Sequence, residues 1–234
     1  MPLVLLPGML CDAEFWRAQT DAFPDAIVWS FGMLDSFDAM AQDVLARAPE
    51  RFALAGHSMG GRVALEICRR APERVTGLAL LCTDYRGPRN EERRSELLQR
   101  RAVLAEARAL GLEGFARGWA LANVAPRNAS DALIARVVKM VSRRSLETLA
   151  AQTLAALARR DQADVLAGLR CPTLICAGEE DRLRPVALHR DMAERVAGSR
   201  LVIVEGAAHM APMERPDCVT EALCQWAATT PAGR

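Results

Sequence analysis

No stretch of this sequence approaches the roughly 20 apolar residues that span a bilayer, so a membrane-spanning chain and a membrane partner are not expected. Met1 to Leu10 is a short apolar run without a basic start, unlike a secretory leader, and the expected location is the cytoplasm. Neither sign of charge dominates: 30 Lys+Arg face 29 Asp+Glu, a net of +1. A nucleic-acid partner needs a basic footprint and is excluded on that ground. The seven cysteines (11, 68, 82, 171, 176, 218, 224) are odd in number, with no CxxC pair and no metal-ligand spacing. Several fall inside apolar strand or helix patterns, so they read as buried free thiols in a reducing compartment, with no metal site. Internal repeats and low-complexity tracts are also missing. Histidine is scarce: only His57, His189 and His209 can supply an imidazole base.

What remains is an ordinary globular composition, 51% hydrophobic and 25% charged over 234 residues, enough for one large α/β domain or a core with an insertion. One stretch stands out. Gly56-His57-Ser58-Met59-Gly60 lies between a short apolar run, Phe52 to Ala55, and a helix-periodic run carrying Val63 and Ile67. A serine at a strand-to-helix turn, with glycine two positions away on each side, is the pattern of a nucleophile elbow. The glycines remove Cβ atoms where strand and helix come close. The serine stands at a helix N-terminus, where free N–H groups favour developing negative charge. A chance GxSxG in a loop is the competing reading; the flanking strand and helix weigh against it.

Along the chain, apolar runs read as buried strands at Leu3–Leu6, Ala26–Ser30, Phe52–Ala55, Thr76–Cys82, Pro172–Ala177 and Arg200–Val204. Helical patterns alternate with them: after Asp12, after Ser36, after the elbow, over Val186–Val196 and over Cys218–Trp226. This alternation specifies a parallel, doubly wound sheet. From residue 86 to residue 168 no strand is credible. A charged helix from Asn90 is stopped near Gly111, and further helix faces follow Ser130 and begin at Leu146. The expected organisation is a core of residues 1–85 and 169–234 with an all-helical insertion at 86–168. The last residues, from about Thr229, are expected to fray.

Sites in open α/β sheets lie beyond the carboxyl ends of the strands. His209 follows the sixth strand and is the base candidate. His57 is next to the serine and must point away from it, and His189 reads as an exposed or half-buried helix residue. The orienting acid is sought in Gly178-Glu179-Glu180-Asp181, after the fifth strand. Asp181 is preferred for its short, stiff side chain, Asp84 is the rival, and Glu179 and Glu180 read as solvated loop charge.

The order Ser58, Asp181, His209 resembles the α/β-hydrolase superfamily, specifically its small bacterial esterase-like members with a helical cap. The matched pieces are Leu5-Leu6-Pro7-Gly8-Met9, Gly56 to Gly61, Gly178 to Asp181 with Pro185, and Gly206-Ala207-Ala208-His209 with Glu214-Arg215-Pro216. The resemblance implies a six-stranded parallel sheet in order 2-1-3-4-5-6, lacking the family's first two strands. It implies that 86–168 is the cap or lid, and that the backbone N–H groups of Met9 and Met59 form the oxyanion hole. Pro7 stands where the family usually has His, which leaves the shape of that loop open.

The implied activity is a serine esterase working through an acyl-enzyme, with no metal or organic cofactor and a small-molecule ester as substrate. Thioester, lactone and C–C bond hydrolysis share every motif, and a non-catalytic binding scaffold is the reading from another class. Leu10, Trp16, Trp119, Met140, Met210 and Met213, with Met9 and Met59, are apolar residues near the site or on the cap; they outline an apolar pocket, with ordinary core as the competing reading. Between Arg86 and Arg160 there are 15 Lys+Arg against 7 Asp+Glu, a balance of +8. A solvated helical face accounts for that excess; so does a cap that meets an acidic or carrier-linked ester.

Overall fold

The computed structural model describes residues 2–230. Six strands, β1 (Leu3–Leu6), β2 (Ile27–Val28), β3 (Phe52–His57), β4 (Val75–Leu81), β5 (Thr173–Gly178) and β6 (Arg200–Val204), form one parallel sheet in the order β2-β1-β3-β4-β5-β6. This is the expected α/β architecture and strand order. The order reverses between β1 and β3, which opens the crevice where such sheets place their sites.

Side chains of successive strand residues point to opposite faces, and the two cores follow that rule. Leu3, Leu5, Ala53, Ala55 and Leu81 pack on one face, against Trp226, Phe115 and Val141. Val4, Leu6, Leu54, Leu78 and Leu80 pack on the other, against Met40, Val63, Ile67 and Met192. Being covered on both faces explains why these strands read as unbroken apolar runs.

Helices α1 (Arg17–Ala22), α2 (Phe37–Arg47) and α3 (Met59–Arg70) join the first four strands. The turn after Asp12 begins as a 3-10 helix, Ala13–Trp16, capped by Asp12 through the Glu14 N–H. The edge strand β2 is shorter than the expected Ala26–Ser30. Only Ile27 and Val28 register against β1; Ile27 and Ser30 are exposed, although Trp29 is buried in the core on one face.

Between β4 and β5 the chain is helical: α4 (Asn90–Asn123), α5 (Asp131–Ser142), α6 (Leu146–Leu157) and α7 (Ala163–Gly168). Gly111 breaks α4 with φ 68° and ψ 165°, at the position where the sequence predicts a stop. Ser130 and Ser145 cap α5 and α6 by accepting the N–H of Leu133 and Thr148. After β5 come α8 (Val186–Arg195), α9 (Ala211–Glu214) and α10 (Pro216–Ala227). Thr229 and Thr230 do not fray. Their hydroxyls donate to the carbonyls of Trp226 and Ala227, and the Thr230 methyl fills the space left by Gly77. Residues 231–234, also expected to fray, lie outside the described residues. Among the described residues no helix is long and apolar enough to cross a membrane.

Candidate active site

Ser58 joins β3 to α3 with φ 51° and ψ −112°. A non-glycine residue at positive φ costs on the order of 1–3 kcal/mol and persists only where its surroundings enforce it. Here the Ser58 N–H donates to the Leu81 carbonyl at 2.9 Å, and the Ser58 carbonyl accepts the Thr83 hydroxyl at 2.6 Å. The flanking glycines are required by close approach. A Cβ on Gly56 would sit 2.5 Å from the Gly60 carbonyl oxygen, and one on Gly60 would sit 2.2 Å from that of Leu6.

The elbow presents Ser58 to His209, which hangs on the loop after β6. His209 Nε2 lies 3.0 Å from Ser58 Oγ, and Nδ1 lies 2.8 Å from Asp181 Oδ2. Nδ1–H donating to the carboxylate leaves Nε2 as the acceptor for the serine hydroxyl. The other oxygen of Asp181 accepts the N–H groups of Leu183 and Arg184, each at 2.9 Å. Burial pushes the Asp181 carboxyl up, but the neighbouring His209 and these hydrogen bonds outweigh it and hold the group below the usual range.

The other candidates are engaged elsewhere. Asp84 accepts from Arg86 and lies 3.8 Å from Arg62. Glu179 accepts the Gly206 N–H at 2.9 Å, and Glu180 pairs with Arg127 at 2.8 Å. His57 meets the His209 carbonyl through Nε2 at 2.8 Å instead of Ser58 Oγ, whose ring partner is His209. Burial pushes it down to about 3, so it is a neutral imidazole. His189 is fully buried, which corrects the exposed or half-buried expectation. Its ring bridges two elements: Nε2 accepts the Thr83 N–H, and Nδ1 donates to the Pro185 carbonyl, both at 3.2 Å.

Ser58 and His209 open into a cavity of about 490 Å³, whose walls include Met9, Met59, Trp119 and Arg100. The other expected pocket residues lie elsewhere. Leu10, Trp16, Met140, Met210 and Met213 lie in the core under and beside the insertion and do not line this cavity. All five are buried among other apolar side chains, Leu10 and Met210 in turns beside the site and the others within helices. A larger cavity of about 770 Å³ is bordered by Cys68, Pro72, Val75 and Pro172. It lies at the amino ends of β4 and β5, the end opposite Ser58, where open parallel sheets do not place their chemistry.

A family model described as "Alpha/beta hydrolase family" matches residues 3–222. The chain belongs to the alpha/beta hydrolase family. A pimeloyl-acyl-carrier-protein methyl ester esterase of Aliivibrio salmonicida is 31% identical over 74% of this chain and 67% of its own. The (E)-2-((N-methylformamido)methylene)succinate hydrolase of Acinetobacter baylyi is 26% identical over 98% of this chain and 91% of its own. Among solved structures, a thermophilic esterase of Thermogutta terrifontis, in a malate-bound form, superposes with a TM-score of 0.86 at 27% identity, covering 97% of this chain and 89% of that one.

Two supports of this hydrolase site escape sequence reasoning. Glu214 is buried and accepts the N–H groups of Ala208 and Met210, on either side of His209, together with the Ala125 N–H and the Asn128 amide. It ties the histidine loop to the end of α4. Its only sequence signal is its place in Glu214-Arg215-Pro216. Gln152, on α6, accepts the Leu10 N–H at 2.9 Å. Leu10 has φ 59°, and the Cys11 N–H closes a turn onto the Gly8 carbonyl. The loop carrying Met9 is therefore pinned by the helical insertion, through a contact that spans 142 positions and leaves no local trace.

Proposed function

We propose that the chain is a serine hydrolase that cleaves carboxylic esters with Ser58 as nucleophile, His209 as base and Asp181 as the orienting acid. The observation that carries this reading is the continuous relay Ser58 Oγ–His209–Asp181, with spacings of 3.0 and 2.8 Å. His209 Nε2 takes the serine proton as Oγ bonds to the carbonyl carbon. The alcohol then leaves with that proton, giving an acyl-serine. Water delivers its proton to His209, attacks the acyl carbon and releases the acid and free Ser58.

The developing oxyanion is held by the N–H groups of Met9 and Met59. Met59 is the first residue of α3, so its N–H has no partner one turn back. Residues 86–168 act as the cap, because Arg100, Val103 and Trp119 of α4 wall the cavity above Ser58. Esters are favoured because the 31% identical relative and the 27% identical structure both carry the name esterase. A cytoplasmic setting suits seven free thiols.

The test is a panel of p-nitrophenyl esters and acyl-thioesters of graded chain length, run beside Ser58→Ala. Ester turnover that falls by about 10⁴-fold or more in the variant is the expected result. Equal rates in both proteins, or no labelling of Ser58 by a fluorophosphonate, would overturn the reading.

A further inference from the structure

The wall of the Ser58 cavity is cationic. Arg62, Arg100, Arg159 and Arg184 line it, against two carboxylates, Glu92 and Glu96. Their partners leave the charge unbalanced. Arg62 donates to the carbonyls of Arg86 and Arg160 and lies 3.8 Å from Asp84. Glu92 is drawn outward to Arg89. Glu96 is shared: Arg159 reaches it at 2.6 Å and Arg100 at 3.7 Å. Arg159 Nε is buried and meets no acceptor among the described residues. Arg184 has no carboxylate within 4.0 Å among the described residues, and its side chain donates to the Leu183 carbonyl at 2.7 Å.

Position matters as much as charge. Asp181 Oδ1 accepts the backbone N–H of Arg184, so the turn that holds His209 in line also fixes where this guanidinium starts. Burial pushes Arg62 down to about 9 and pushes Arg100 and Arg184 down as well; Asp84, Glu96 and Asp181 offset part of that, and the guanidinium groups also oppose one another's charge. A half-buried cluster of like charges with an unmet Nε–H is costly when empty and is relieved by an anion. A planar guanidinium fork matches a carboxylate with two parallel hydrogen bonds.

We propose that the substrate of this site carries a free carboxylate besides its scissile ester, held by Arg184 with Arg159 and Arg100 while Ser58 attacks. This specifies the substrate class of the hydrolase reading and rests on it. A cavity of about 490 Å³ holds a small monoester of a dicarboxylic acid.

The test compares monomethyl succinate, glutarate and adipate with the neutral terminal amide of each, in wild type, Arg184→Gln and Arg184→Lys. Calorimetric binding of glutarate is measured on the same proteins and on Ser58→Ala. Circular dichroism and fluorophosphonate labelling establish that each Arg184 variant is folded. In wild type the charged ester of at least one pair is expected to exceed its amide by about tenfold or more in kcat/KM. Arg184→Gln is expected to bring that ratio close to one, mainly through KM, and Arg184→Lys to restore part of it. Arg94→Gln, on an exposed residue of α4 outside the cavity, is expected to leave the ratio alone. Neutral and charged esters hydrolysed equally by wild type, or a preference unchanged in Arg184→Gln, would overturn the carboxylate site while leaving the hydrolase reading intact. Glutarate bound by wild type and Ser58→Ala but not by Arg184→Gln, with no ester turned over, would uphold the carboxylate site and remove the hydrolase reading. Absence of both glutarate binding and a charged-ester preference in wild type would overturn the proposal.

Discussion

Asp181 divides its two oxygens between two tasks. Oδ2 faces His209 and Oδ1 holds the backbone N–H groups of Leu183 and Arg184. Replacing Asp181 by Asn therefore does more than remove a charge. The amide oxygen is committed to the two backbone donors, so the NH₂ group turns toward His209 Nδ1. That nitrogen becomes an acceptor, Nε2 carries the proton, and the ring can no longer take one from Ser58. For Asp181→Asn, kcat is expected to fall by about 10⁴-fold with KM little changed and the fold intact. Pre-steady-state acylation by a p-nitrophenyl ester measures it. A loss below about tenfold would show that another group orients the imidazole. The sequence favoured Asp181 over Glu179 and Glu180 on side-chain length alone and kept Asp84 as its rival, because all four follow strands. Only the distances separate them.

At the scale of elements, the elbow depends on how closely β1, β3 and α3 approach. The Gly60 Cβ position is blocked by backbone, the Leu6 carbonyl, which cannot swing aside as a flexible side chain would. Gly60→Ala is expected to destabilise by more than about 3 kcal/mol or to prevent folding. Gly118 lies within α4 with nothing within 4 Å of its Cβ position. Gly118→Ala is expected to stabilise by about 0.5–1 kcal/mol, since glycine is a poor helix former. Urea midpoints of the two variants should move in opposite directions; a shift of the same sign would refute the argument from backbone approach. Most elements were legible because apolar period and caps are local signals. Ser130 and Gly111 each mark a boundary where the chain turns. The edge strand β2 was overextended because five apolar or small residues look alike whether or not a neighbour covers them.

Over the whole molecule, two histidines are buried as neutral rings. Unfolding frees His57 to titrate at its ordinary 6.5, whereas in the folded chain it stays neutral down to about 3. Between those values the unfolded chain binds more protons, so stability is present above pH 6.5 and falls as the pH drops toward 3. His189, also held below its ordinary value mainly by burial, acts in the same direction. Asp181, held low in the fold, adds a loss as the pH falls from the ordinary carboxylate range through its folded value. His57 alone predicts a loss on the order of 2–3 kcal/mol between pH 7 and 4.5. Urea titrations across that range should show it, and a flat profile would mean that the His57 ring charges inside the fold. The sequence by itself determined the α/β alternation, the place of the helical insertion, and a serine at a strand-to-helix turn with a histidine after the last strand. Those are local patterns of period, cap and turn. It could favour Asp181 but not place its oxygen against His209, and it could not determine that Glu214 and Gln152 pin the loops beside the site, or that Trp119 lines the cavity while Trp16 and Met140 do not. Nor could it show which arginines, among 15 basic residues of the insertion and others beyond it, turn inward toward Ser58. Those outcomes depend on contacts between residues far apart in the chain, whose geometry exists only once the sheet has formed and the insertion has closed over its carboxyl edge.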